Sequence, residues 1–349
     1  MLLQKNPYAL LGSALLFLLV ACGSTTPTQI WSEEFLETAR QAEAGAATGS
    51  EAGAEARYAD LAHRAPTIER ERQAEFEIAR LANRQGRTAE ALERFEALWS
   101  APLKDSTGGR ALYETALITA NELDDREASL ALHRRVIVEY PDFVASEFSL
   151  AEMKRQYTRR GEHQAFIDLL EAVHDEVAGT TVGHQVLFMR ARQIQKHLGD
   201  DDRALQVYLD VHHGCIECAV GDDALWEMIQ IYKARQWWNA ASELLDHLAR
   251  RTEASWFVGT YNSPRAGDAR FELGLINLLF LEDYPAARSH FNQYLKDFPH
   301  SFHADDAAWH IVQSHRIEED ERLHQRKLER FLRDYPESRF ARRATGQAR

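Results

Sequence analysis

Cysteine, proline and glycine are scarce in this chain: three, nine and eighteen among 349 residues. So little cysteine excludes a miniature scaffold held by many disulfides. So little proline and glycine leaves too few turn formers for an all-β fold rich in tight connections. A surplus of positive charge is missing too. Lys and Arg total 41 against 54 Asp and Glu, a net charge of −13. Without spare cations to displace phosphate counterions, nucleic acid is excluded as the main partner. No His-Glu-x-x-His zinc motif, no Gly-x-Ser-x-Gly elbow and no phosphate-binding glycine-rich loop occurs, and Gly108-Gly109 reads as an isolated loop. What is present is 45% hydrophobic and 27% charged residues, the balance of a folded protein.

The amino terminus has its own character. Lys5 is the only charge in the first 32 residues, and an apolar run of fourteen residues extends from Tyr8 to Ala21. A helix that spans a bilayer takes about 20 residues, so this run reads as an export signal over residues 1–21. Leu19-Val20-Ala21-Cys22 resembles the lipobox of bacterial lipoproteins. The resemblance implies cleavage before Cys22 and acylation of that cysteine; an ordinary secretory peptide ending in cysteine is the alternative. Two or more acyl chains anchor a protein stably without a transmembrane helix. Gly23 follows the cysteine instead of Asp. In the resembled lipoproteins that implies the outer membrane, periplasmic face. Residues 22–56 then read as a lipidated tether, a short helix from Trp31 to Arg40 capped by Ser32, and an Ala/Gly-rich linker from Gln41 to Ala56. The alanines of that linker permit partial helix.

From Arg57 onward apolar residues recur three and four apart, the period of an amphipathic helix. Leu92, Phe95, Leu98 and Trp99 form one such face. The chain also repeats itself. Asp222-Asp223-Ala224-Leu225-Trp226 recurs as Asp305-Asp306-Ala307-Ala308-Trp309, with the aspartates placed to cap helix starts. Tyr140-Pro141, Phe298-Pro299 and Tyr335-Pro336 mark helix stops, since proline cannot continue a helix interior. Small residues recur at fixed distances: Ala79, Ala91 and then Phe95; Ala116, Ala128 and Leu132; Ala191, Ala204 and Tyr208; Gly274, Ala287 and Phe291. Small residues there let two helices approach, and the residue four on fills the groove above.

This spacing resembles the tetratricopeptide repeat, a helix-turn-helix unit of about 34 residues. Phe271 to Trp309 in particular is similar to periplasmic lipoproteins of the BamD and CpoB type. The resemblance implies an all-α fold, a right-handed superhelical α-solenoid of six to eight helix pairs over residues 57–344, with a short tail at 345–349. It also implies a concave groove lined by the first helix of each pair. Groove positions would be Phe76, Arg80, Asn83, Tyr113, Asn121, Trp226 and Gln230; for Phe76, Tyr113 and Trp226 the alternative is packing between neighbouring pairs.

Other chemistry is thinner. Cys215 and Cys218 form an even pair once Cys22 carries lipid. In an oxidising compartment they read first as a local disulfide, then as free thiols, then as a zinc site with His212 or His213. Ala219 stands where a c-type haem motif needs histidine. The fifteen histidines are mostly scattered singly. Asp200-Asp201-Asp202 reads as helix-start charge and Glu318-Glu319-Asp320-Glu321 as a solvated turn, since neither has the spaced oxygens and glycine of a calcium loop. Arg339, Arg342, Arg343 and Arg349 make a basic helix end. No segment of enzyme size remains outside the repeats. The reading is therefore a non-enzymatic, cofactor-free, membrane-tethered scaffold whose partners are other envelope proteins or extended peptides, with no nucleic acid and no small-molecule substrate. Outer-membrane protein assembly is one setting; Tol–Pal and wall synthesis, or a secretion or motility complex, is another. A metal or redox carrier using Cys215 and Cys218 is a third.

Overall fold

A stretch that places apolar residues three and four apart can bury them on one stripe only as a helix. The computed structural model describes residues 26–46, 52–251 and 263–346, and among these residues it contains no strand. The export-signal and Cys22 readings lie outside the described residues. Two compact units divide the chain at Leu132 and His133. The first holds α1 (Pro27–Ala46), α2 (Ala52–His63), α3 (Ile68–Arg84), α4 (Thr88–Trp99) and α5 (Ser106–Asn121). The boundary falls inside α6 (Arg126–Glu139). The second unit continues with α7 (Val144–Arg160), α8 (His163–Val177), α9 (Thr181–Gln193) with a π-helical turn at Ile194–Leu198, and α10 (Asp201–Gly214). Then come α11 (Ala219–Ala234), α12 (Trp238–Ala249), α13 (Ala266–Leu279), α14 (Tyr284–Asp297), α15 (Ala304–Ile317), α16 (Glu321–Asp334) and α17 (Arg339–Ala344).

The fold class is an all-α solenoid built of helix pairs. Consecutive helices pack on one another from α1 to α5 and from α7 to α16, and first helices also meet first helices: α3 with α5, α7 with α9, α9 with α11, α13 with α15. The small residues sit where the helices approach. Ala79, Ala91, Ala116, Ala191, Ala204 and Ala287 are all fully buried, as are Phe95, Tyr208 and Phe291 above them. A Cβ added to Gly274 would lie 2.6 Å from the Phe291 ring, so this position is held open for that side chain. One pair departs from the expected register. Ala128 is only half-buried, whereas Ser129 and His133 are fully buried in α6. The buried small residue of α6 is thus Ser129 and the buried side chain four on is His133, one position beyond Ala128 and Leu132.

The turns inside the pairs from α3–α4 to α15–α16 share a left-handed residue. Gly86, Asp124, Gly161, Gly199, Gln236, Glu282 and Glu319 each take a positive φ between the two helices of successive pairs. Four of these seven are not glycine and hold the left-handed conformation against the clash between Cβ and backbone.

Helix starts are fixed by side-chain caps. Thr67, Asp105, Thr180, Asp200, Asp283, Asp320 and Ser338 each accept a hydrogen bond from an amide of the first turn. Gly108 lies within α5, not in a loop, because its amide donates to the Asp105 cap at 2.7 Å. At the same place in α9 and α11, a Cβ on Gly183 or Gly221 would come within 2.2 or 2.0 Å of the Val177 or Cys215 carbonyl oxygen.

The paired aspartates do not cap. The residue preceding α15 is His303, and Cys218 precedes α11. Asp222 instead pairs with Arg251, and Asp223 takes 2.8 Å contacts from Arg265 at the start of α13. Asp305 accepts from Ser338 at 2.8 Å and Asp306 from Arg339 at 2.7 Å, each 33 residues on. Arg72 and Asp105 make the same 33-residue tie with reversed polarity, through two parallel hydrogen bonds of 2.7 and 2.9 Å. Such ties fasten α3 to the start of α5, α11 to the start of α13 and α15 to the start of α17.

The amino-terminal helix is longer than Trp31 to Arg40 and begins at Pro27, so Ser32 is interior and its hydroxyl donates to the Thr28 carbonyl. The expected linker is helical on both sides, Gln41–Ala46 extending α1 and Ala52–Ala56 opening α2. Alanine has the highest helix propensity, and tertiary anchors supply the rest. Trp31 is buried, donates its indole N–H to the Leu61 carbonyl at 2.9 Å, and stacks on Phe35. No described helix is long and apolar enough to cross a membrane.

Candidate functional site

First helices that touch their counterparts in adjoining pairs present a shared face, and the expected groove residues can be placed on it. In the first unit, Phe76 of α3 is 1% exposed and packs on Phe95 with ring centroids 5.4 Å apart, under the Arg110 guanidinium at 4.2 Å. It is a core residue, not a groove contact, because the helix pair closes over it. Arg80 is part-exposed and pairs with Glu77 at 2.9 Å. Tyr113 is half-buried and Asn121 exposed at the end of α5. Glu114, half-buried beside them, has its carboxyl raised above the usual range by burial, with Arg80 and Arg110 opposing. Asn83 donates to Glu122 at 3.0 Å, while its Oδ1 is buried without a partner.

In the second unit, Trp226 is half-buried and capped by the Arg265 guanidinium at 5.4 Å. Trp309 is covered in the same way by Phe340, stacked at 5.1 Å. Both tryptophans pack onto the start of the following pair, the alternative left open for Trp226. Gln230, also half-buried, has its Nε2 buried without a partner.

One concavity built by three first helices was not among the expected positions. A pocket of about 390 Å³ opens across α7, α9 and α11. Lys154 and Thr158 come from α7; Phe188, Met189 and Arg192 from α9; Val220 and Asp223 from α11. Lys196 and His197 of the π-helical turn complete the rim. Partial burial and the charges of Arg192 and Lys196 hold the Lys154 ammonium below its ordinary value. Burial and the charges of His163, Lys196 and Lys154 lower His197, whose ring stacks on His163 at 3.6 Å. One signal was legible: Arg192 and Lys196 are four apart, one helical turn. Lys154 lies a whole repeat earlier, and no spacing within a single helix reveals it.

Cys215 and Cys218 are joined by a disulfide across the turn between α10 and α11. Burial lowers His212, with Arg251, His247 and His213 adding to it. No group of three or more metal-ligating side chains suited to an ion occurs among the described residues.

Residues 268–301, from the first turn of α13 to the turn before α15, match the family model of the tetratricopeptide repeat. Two solved structures are similar to the chain. One is a signal transduction ATPase with numerous domains and a tetratricopeptide repeat sensor from Pyrococcus horikoshii, 17% identical at a TM-score of 0.46, with 80% of this chain and 44% of that chain covered. The present chain thus spans less than half of that protein. The other is a tetratricopeptide repeat protein from Parabacteroides merdae ATCC 43184, 12% identical at a TM-score of 0.31, with 81% and 99% covered. No curated protein matches the sequence.

Proposed function

We propose that the chain is a non-catalytic scaffold that binds another protein, or an extended segment of one, along the first-helix face. The observation that carries this reading is the pocket built jointly by the first helices of three successive pairs, α7, α9 and α11. A surface assembled from several repeats suits an elongated ligand that crosses them, because each repeat adds one increment of contact. A photo-crosslinking residue placed at Thr158 or Met189 should capture the partner, while the same residue at exposed Asp175 on α8 should not. Capture from Asp175 alone would refute the reading.

The setting we propose is the bacterial envelope, with Cys22 lipidated at the periplasmic face of the outer membrane and a role in outer-membrane protein assembly. The lipobox-like Leu19-Val20-Ala21-Cys22 supports the anchor. Mass spectrometry of the mature amino terminus tests it: an unmodified Cys22 removes the anchor. Recovery of assembly-machine subunits from detergent-solubilised envelope supports this role, whereas wall synthases or Tol–Pal components would replace it with the coordinating one.

A further inference from the structure

We propose that the pocket across α7, α9 and α11 is a receptor for an extended acidic segment of the partner, in which carboxylates flank an apolar side chain. This rests on the scaffold reading above and names the chemistry of its ligand.

Three cations converge on one pocket of a chain whose net charge is −13. The pocket's own acid does not neutralise them. Asp223 is engaged by Arg265 at 2.8 Å. Arg192 has a loose partner in Glu227 at 3.5 Å. Lys154 and Lys196 have no carboxylate partner among the described residues, and partial burial, with the charges of Arg192 and Lys196 adding to it, depresses Lys154. A cluster of like charges held together by the fold is relieved by a ligand of opposite sign, and complementary charge sets specificity.

The second observation concerns the backbone of that ligand. Gln193 lines the pocket, is 3% exposed, and has its Oε1 buried without a partner. A buried amide oxygen left unpaired costs free energy until a donor reaches it. An extended peptide presents free N–H groups along its length, and one of them can donate to Gln193 Oε1. Phe188, Met189 and Val220 supply apolar wall between the charges, and methionine adapts its shape to the side chain it meets. A cationic rim, an orphan acceptor and an apolar wall together match alternating acidic and apolar residues on an extended chain.

The test uses fluorescence anisotropy with the full chain and a ten-residue, terminally blocked, labelled peptide carrying four Glu around two Leu. Its Gln-for-Glu counterpart is the control. The acidic peptide should bind, the control should bind about tenfold more weakly or not at all, and added salt should weaken the acidic complex. The double variant Lys154→Gln and Lys196→Gln should lose about tenfold in affinity with an unchanged melting temperature, both side chains being exposed. Equal binding of both peptides, or full affinity in the double variant, overturns the proposal. If the acidic peptide fails while crosslinks from Thr158 and Met189 persist, the acidic ligand is wrong and the scaffold stands. If those crosslinks are also lost, the scaffold reading falls with it.

Discussion

Acidification from pH 7 to pH 5 should withdraw a specific part of this protein's stability through one buried imidazole. His133 is fully buried on α6, four residues after buried Ser129, as Phe95, Tyr208 and Phe291 lie four after Ala91, Ala204 and Ala287. Its Nδ1 lies 3.2 Å from the Ser149 hydroxyl on α7. Burial pushes it down to about 4, with Glu152 opposing and Arg155 adding to the depression. In the unfolded chain the imidazole returns to its ordinary 6.5. Between these values the unfolded state binds a proton that the folded state refuses. The contribution is therefore complete above about pH 6.5 and is lost as pH falls toward about 4. At about 1.4 kcal/mol per pH unit, the full loss is about 3 kcal/mol, and about 2 kcal/mol of it has gone by pH 5. Urea unfolding followed by circular dichroism at pH 7, 6 and 5 measures this, with His133→Phe as the non-titrating reference. The stability difference between the two proteins should shift by about 2 kcal/mol in favour of the variant across that range. Parallel pH profiles, or an NMR titration of His133 centred near 6.5, would refute the reasoning.

Three further outcomes are expected. Gly221→Ala and Gly183→Ala should each cost about 3 kcal/mol, and more than Gly274→Ala, because the first two drive a Cβ into a backbone carbonyl and the third into a ring that can shift; thermal melts that rank Gly274→Ala worst would contradict this. Arg72→Met should cost about 3 kcal/mol, since it strips Asp105 of its buried partner and the Leu98 carbonyl of a 2.9 Å donor; a variant as stable as the parent in urea would dismiss the tie. Gln236→Gly should stabilise by about 0.5 kcal/mol, the relief of left-handed strain being partly offset by the greater freedom of glycine in the unfolded chain; a lowered melting temperature would refute it.

Local period carried most of the fold. The spacing of Ala79, Ala91 and Phe95, or of Gly274, Ala287 and Phe291, is a within-pair regularity, and it places those residues in the core. Failures came where the deciding contact was distant or the local signal neutral. Ala128 and Ser129 are both small, so register in α6 is set by which neighbour is buried, and only the fold selects Ser129. The run from Gln41 to Ala56 has few large apolar groups, and its helicity depends on Trp31 and Tyr58, both buried at its flanks. Asp222 and Asp305 look like caps in isolation because their real partners, Arg251 and Ser338, lie 29 and 33 residues away. The pocket cations were hidden for the same reason, and the expected groove residues Phe76 and Trp226 were drawn into packing because aromatics at those places seal adjoining pairs.

The aspartate and arginine ties between one pair and the next reach no farther than an adjacent neighbour. Length is consequently an adjustable property of this architecture. A hairpin inserted or removed away from these junctions leaves each tied pair of neighbours in place. The lineage of such a protein can therefore change its reach without redesigning its interior.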